Sequence, residues 1–407
     1  MQDQNSITKQ IVDSAICYFD NAATTKPTEE VIKAIQPFIQ DMWQNPSSLY
    51  LSSKKVNAAI EQARIDIAEF IGATSHEIFF TSGGSESNCW AIQGFCNHCL
   101  RERTNPIVFT SKIEHKSIIE CVKNYCDKSI NLVAYFVDVD SNGYVDLEEL
   151  EDMIKYEIES TFMCKPFVSI QLANNEIGTI QPIKKIAELV HKYGGVLHTD
   201  ATQVVGHLPI NVNELDVDML SASAHKFHGI KGNGFLYVRE GIKIEPLIYG
   251  SQNNGMRGGT ENVIGIVAMA TALKNCDTSF GDSSANSKVI KIRNRLIDKI
   301  SNLPYDIRIN NITSTSTVLP SILSITILEN VTAEAVLYML DSANIQVSSG
   351  SACNSKSHKP SYVLQAIGFS DWDAVRTLRI SINESTTFEQ IDKLTNELDK
   401  AIKILTS

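Results

Sequence analysis

Short apolar runs alternate with helical stretches through most of this chain, and that alternation limits the folds open to it more than any single residue. Strand candidates at Pro106–Thr110, Leu132–Val137, Phe167–Leu172, Gly195–Thr199, Met219–Ala222 and Gly234–Val238 are rich in β-branched and aromatic residues. Between and before them run helical patterns such as Val31–Asp41 and Ile183–Tyr193. A chain that alternates in this way builds an α/β domain whose sheet is mainly parallel and covered by helices on both faces. Glycines at 250–259 mark a loop, and an apolar helix follows near Val263–Leu273. The Ser-, Asp- and Asn-rich stretch Asn275–Ser287 is a linker into a smaller α/β domain, which ends in an amphipathic helix over Phe388–Leu405.

With 407 residues, 43% of them hydrophobic, the chain can bury a large core. The predicted parts are an N-terminal segment, 1–30, packing with the small domain, a large domain over 31–274, and a small C-terminal domain over 275–407. No run reaches the roughly 18 consecutive apolar residues of a membrane helix, and the polar start Met-Gln-Asp-Gln-Asn-Ser is unlike a signal peptide. Nine cysteines, an odd number without a repeated short spacing, suit a reducing cytoplasm better than a disulfide framework. Cys96 and Cys99 form a C-x-x-C with no second pair, inside an apparent helix. A net charge of −11 opposes direct binding to nucleic acid, so any nucleic acid would reach a partner protein instead.

Lys226, in Ser-Ala-Ser-Ala-His-Lys-Phe-His-Gly at 221–229, follows Asp200 by 26 positions (226 − 200). Asp200 closes the apolar run that begins at Gly195. A lysine that forms a Schiff base with pyridoxal phosphate (PLP) needs a carboxylate under the pyridine nitrogen, because the protonated ring is what accepts carbanion electrons. A structural ion pair is the plainer reading of two such residues. A third element favours the cofactor. The segment Glu77-Ile78-Phe79-Phe80-Thr81-Ser82-Gly83-Gly84-Ser85-Glu86-Ser87-Asn88 reads as a short strand, a small-residue turn, and then the start of a helix carrying Trp90, Ala91 and Ile92. Bare N–H groups at such a helix start hold a phosphate, and glycines let it approach. Ser223 and His225 are further donors.

Taken in order, Tyr18-Phe19-Asp20-Asn21-Ala22-Ala23-Thr24-Thr25, the Thr-Ser-Gly-Gly-Ser-Glu-Ser turn, Glu114-His115-Lys116, Asn174-Asn175-Glu176-Ile177-Gly178, His198-Thr199-Asp200-Ala201-Thr202-Gln203 and His225-Lys226 resemble the NifS/IscS-type cysteine desulfurases. These form part of the class V branch of the PLP-dependent, aspartate-aminotransferase-like fold, and the likeness runs from about Tyr18 to Thr387. The resemblance implies a role for each matching position. Lys226 would tether PLP and move the substrate's Cα proton. Asp200 would pair with the ring nitrogen, Gln203 with the phenolic oxygen, and His115 would stack on the ring and take part in proton transfer. Gly84, Ser85, Ser223 and His225 would bind the phosphate, with Thr260 reaching it from the second subunit of a homodimer. Arg379 would clamp the carboxylate of L-cysteine, helped by Asn175.

Residues 348–361 are small and polar, with Cys353 at their middle. Such a stretch cannot bury a core, so it is expected to be a mobile surface loop, with Lys356, His358 and Lys359 favouring the thiolate. Cys17, Cys89, Cys96, Cys99, Cys121, Cys126, Cys164 and Cys276 are expected to be small buried hydrophobes instead. The implied reaction turns L-cysteine into L-alanine and leaves a persulfide on Cys353 for a sulfur-acceptor protein. Iron–sulfur assembly, tRNA thiolation and DNA phosphorothioation are all open as destinations. Another class V PLP reaction, such as that of a selenocysteine lyase or an aminotransferase, is the alternative enzyme. A catalytically silent scaffold is the alternative outside enzymes, against which Lys226, Asp200 and Cys353 all speak.

Asp138-Val139-Asp140-Ser141-Asn142-Gly143-Tyr144-Val145-Asp146-Leu147-Glu148-Glu149 satisfies the calcium-loop pattern. The run before it, Ile130–Val137, reads as a strand where such a loop needs a helix, so the expectation is strand, Asn142-Gly143 turn, and a helix from about Asp146. Two departures from the family pattern stand out. Ser251-Gln252-Asn253-Asn254 replaces the usual Gly-Gln-Glu ahead of Arg257 and Thr260, and the chain stops at Ser407, without the tail by which housekeeping members grip an iron–sulfur scaffold. On the family pattern the second would mark a specialised sulfur donor.

Overall fold

A computed structural model describes residues 16–128, 132–281, 283–310, 317–349 and 360–407. They fall into two units, one holding 24–175 and 179–279, the other 16–23, 176–178 and 280–407. The described chain opens in the second of these with β1 (Cys17–Tyr18).

The larger unit is built on strands β2 (Ile78–Thr81), β3 (Asn105–Ser111), β4 (Val133–Val137), β5 (Cys164–Ser169), β6 (Val196–Asp200), β7 (Met219–Ser223) and β8 (Gly234–Val238). Their order across the sheet is β2-β8-β7-β6-β5-β3-β4. Only β8 runs against its neighbours, pairing antiparallel with both β2 and β7. Every residue of β7 and β8 is buried although successive side chains point to opposite faces, so both faces of the sheet are covered. Helix Gly84–Arg101 lies on one face, with Trp90, Phe95 and Cys96 packed against Phe167, Met219 and Leu236.

This topology brings Thr81, Ser111, Asp200 and Ser223, each the last residue of its strand, to one edge of the sheet, where β8 begins at Gly234. The carboxyl edge of such a sheet is where α/β proteins place ligands, because the loops there join strand ends to helix N-termini.

The strand expected at Phe167–Leu172 begins and ends three residues earlier, at Cys164 and Ser169. Ile170 and Leu172 stay buried, but their N–H groups follow β6 and donate to His198 O (3.1 Å) and Asp200 O (2.9 Å). Apolar burial therefore outlasts the strand itself. The stretch after β4 turns and enters helix Leu147–Ser160, whose N-cap Asp146 accepts from the N–H groups of Glu148 and Glu149. Oxygens in the calcium-like pattern are engaged by the protein itself: Asp140 Oδ1 accepts from Asn142 and Tyr144 N–H, and Glu149 Oε2 from Asp138 N–H.

In the smaller unit β10 (Ile322–Ile327) pairs antiparallel with β9 (Ile307–Asn310) and with β12 (Thr377–Ser381), while β1 pairs parallel with β11 (Ile345–Gln346). Helices Ala285–Ser301, Ala333–Ser342 and Phe388–Thr406 bury Ile292, Leu296, Val336, Leu394 and Leu398 against Ile325 and Ile380. Among the described residues no helix is long and apolar enough to cross a membrane.

Candidate active site

At the phosphate-like turn the backbone, more than any side chain, dictates the sequence. Gly83 sits at φ 150°, ψ 179°, a region essentially reserved for glycine. A Cβ on Gly84 would stand 2.9 Å from Thr202 Oγ1, and one on Gly234 would stand 2.7 Å from Gly83 Cα. Ser223 Oγ lies 3.6 Å from where a Gly83 Cβ would be. Gly83, Gly84, Thr202 and Ser223 thus lie close together at the start of helix Gly84–Arg101. Among the described residues, the buried Thr202 Oγ1 has no hydrogen-bond partner there. Ser85 is exposed on the first turn of the helix.

Asp200 is only 6% exposed. Its Oδ1 accepts from Thr202 N–H (2.9 Å) and its Oδ2 from Asn88 Nδ2 (2.7 Å). Asn88, one turn into helix Gly84–Arg101, also donates to Ser117 Oγ (2.9 Å), and among the described residues its own Oδ1 has no partner. Neither Asn88 nor Ser117 stood out in the sequence; the helical spacing from Gly84 to Asn88 was the available signal, whereas nothing local pointed to Ser117.

His115 lies beside this group. Burial lowers its pKa; the Asp200 charge opposes that effect, and Lys226 and Lys116 reinforce it. His115, Asp200 and Lys226 are therefore electrostatic neighbours. Glu114 is wholly buried, accepting from Ser111 Oγ (2.6 Å) and Gln171 N–H (2.8 Å), and burial pushes its carboxyl up to about 8.

Lys226 closes a single turn, Ala224–Lys226, directly after β7. Thr25 fixes that turn: its N–H (2.8 Å) and Oγ1 (3.0 Å) both donate to His225 O, and its Oγ1 accepts from His228 N–H (2.6 Å). The Ala-Ala-Thr-Thr run thereby anchors the lysine. His225 hydrogen-bonds Thr24 Oγ1 through Nδ1 (3.1 Å), and burial, with the charges of Lys226 and Lys231, takes its pKa down to about 4. Gln203 is buried in the turn after β6. Asn175 follows Asn174, whose Nδ2 donates to Ile113 O (3.0 Å).

Thr260 is exposed, three residues beyond Arg257. In the departing segment, Asn253 and Asn254 adopt positive φ (48° and 56°), which asparagine tolerates better than most residues. Asn253 Oδ1 accepts from Arg64 Nη2 (3.1 Å), so the unusual residues have structural employment.

Arg379 belongs to the smaller unit. It is 3% exposed on β12, donates through Nη2 to Asp20 Oδ1 (2.6 Å), and exchanges backbone bonds with Ser348. Cys353 lies outside the described residues, as does the side chain of Cys126. Of the other cysteines, Cys17, Cys96, Cys99 and Cys121 are buried as expected, while Cys89, Cys164 and Cys276 are half-buried.

The family model Aminotransferase class-V matches residues 17–394. The cysteine desulfurase IscS of Dictyoglomus turgidum is 39% identical over 389 residues, covering 95% of each chain. The chain belongs to the class-V aminotransferases, among cysteine desulfurases of the IscS type. A solved structure described as a NifS-like protein superposes on this class-V chain with a TM-score of 0.85 at 33% identity, over 96% of this chain and 100% of that one. Another, described as SspA in complex with cysteine, gives 0.76 at 33% identity, over 91% and 100%.

Proposed function

We propose that this chain converts L-cysteine to L-alanine with PLP as cofactor and collects the sulfur as a persulfide on Cys353. What carries the reading is Asp200, buried and oriented by Asn88 Nδ2 and Thr202 N–H, next to His115 and Lys226. The residues fit PLP. Glycines at a helix start let a phosphate approach its N–H groups, the Thr202 hydroxyl adds a donor there, and a buried carboxylate oriented at the sheet edge suits the ring nitrogen. When bound, PLP supplies an electron sink for negative charge at the substrate's Cα.

The chain's own groups do the remainder. Gly84, Ser85, Ser223 and His225 hold the phosphate, and Gln203 holds the phenolic oxygen. Lys226 tethers the cofactor and moves the Cα proton. Arg379 clamps the substrate carboxylate through its guanidinium fork, and Asn175 is a further substrate-binding residue. The Cys353 thiolate attacks the substrate sulfur: an S–S bond forms as the Cβ–S bond breaks, the electron pair goes to Cβ, and protonation leaves the methyl of alanine. A homodimer in which Thr260 serves the neighbouring subunit accounts for that residue's exposure. A separate acceptor protein would then take the sulfur.

Purified protein supplied with L-cysteine and a thiol reductant is expected to yield alanine and sulfide in equal amounts. Production of a keto acid in place of alanine would reject the reading in favour of transamination.

A further inference from the structure

Four side chains join the carboxylate at the end of β6 to the imidazole that follows β3, in the order Asp200, Asn88, Ser117, His115. Asn88 Nδ2 carries two hydrogens and has two acceptors, Asp200 Oδ2 at 2.7 Å and Ser117 Oγ at 2.9 Å. Its amide has one sensible orientation, since the reverse would press Oδ1 against a carboxylate oxygen. Ser117 Oγ, having accepted from Asn88, keeps one hydrogen, and His115 Nδ1 lies 2.8 Å away. Ser117 N–H also donates to that nitrogen, at 3.1 Å. A backbone N–H cannot turn away or become an acceptor.

We infer that Asn88 and Ser117 are positioning residues that hold His115 as the Nε2–H tautomer, its Nδ1 lone pair occupied, and that they tie this state to the seating of Asp200. The inference rests on the proposed cofactor site for its catalytic meaning, but the hydrogen bonds belong to the chain itself. In this state the ring presents a donor through Nε2 and takes up a proton at Nδ1 only by displacing Ser117. Proton movement at the substrate's Cα then falls to Lys226. The charges acting on the ring are those of Asp200, which favours protonation, and of Lys226 and Lys116, which oppose it. Burial opposes it as well.

The test uses the full-length protein labelled with 15N-histidine, His115 being assigned by the loss of its signals in His115→Gln. The expected spectrum at neutral pH shows a protonated Nε2 and a bare Nδ1. Ser117→Ala removes the hydroxyl but leaves the backbone donor, and should raise the His115 titration midpoint by about half a pH unit to one unit, the worth of one hydrogen bond. Ser117→Thr keeps the hydroxyl and should restore the original midpoint. Asn88→Ala should raise it too, and should weaken PLP binding to the cofactor-free protein about ten-fold. A proton found on Nδ1, or equal midpoints in Ser117→Ala and Ser117→Thr, would overturn the inference. Because titration is read without turnover, a protein with the expected midpoints and no sulfide release would defeat the desulfurase reading and leave this one standing.

Discussion

Arg257 grips the Glu86 carboxylate with two nitrogens, Nε to Oε1 at 2.9 Å and Nη2 to Oε2 at 3.1 Å. Burial opposes ionisation of Glu86, but hydrogen bonds from Arg257 and Ser82 and the guanidinium charge hold its carboxyl below the usual range. Since Glu86 Oε2 also accepts from Ser82 N–H (2.7 Å), the pair fastens the glycine turn to the segment carrying Thr260. Arg257→Ala removes the guanidinium from a largely buried carboxylate and leaves it the Ser82 N–H, a loss expected to cost up to roughly 3 kcal/mol. Urea unfolding would measure it, and Arg257→Lys, which lacks the fork, should recover only part. An unchanged unfolding midpoint in Arg257→Ala would contradict this account of the turn.

Gly84→Ala puts a methyl group at the start of the helix, 2.9 Å from Thr202 Oγ1. Gly84 has no positive φ, so the helix itself should tolerate alanine. The expected result is a protein of near-normal thermal stability with about ten-fold weaker PLP affinity, or ~1.4 kcal/mol. Equilibrium dialysis against PLP decides it.

The two proposed chemical residues should separate cleanly. Cys353→Ser should keep the visible absorbance of the bound cofactor and its change on adding L-cysteine, yet release no sulfide above background. Lys226→Ala should lose the tethered cofactor's absorbance band. Full sulfide release by the serine variant would remove Cys353 from the reaction.

Glu114 sets a dependence on pH. Its folded pKa, raised by burial to about 8, exceeds the ordinary value of 4.5, so the folded state binds a proton that the unfolded state has lost between those limits. The sign follows: this stabilisation is complete below about 4.5 and disappears as pH rises through 8. Thermal unfolding of the native protein should therefore fall more steeply from pH 6 to pH 9 than that of Glu114→Gln. Parallel curves for the two would place the ionisation elsewhere.

Much of the larger unit was legible because strand and helix signals are local. The helix from Asp146 was readable from an N-cap residue and two early glutamates, and β6, β7 and β8 from short apolar runs. β5 was misplaced by three residues because hydrophobicity reports burial, and Ile170 and Leu172 are buried beyond the last strand residue. The anchoring of the lysine turn by Thr25 was out of reach for another reason: about two hundred residues separate the partners, and threonine has no spacing rule that points across them.

By itself the sequence determined the alternating α/β plan, the class-V motifs and the positions of Lys226, Asp200 and His115, since each depends on residue type and short-range order. Tertiary structure alone decided that Asn88 faces Asp200 and Ser117 faces His115. Those pairings exist because helix Gly84–Arg101 packs over the sheet edge where the carboxylate ends its strand, and a hydrogen bond forms only where such packing brings donor and acceptor within about 3 Å.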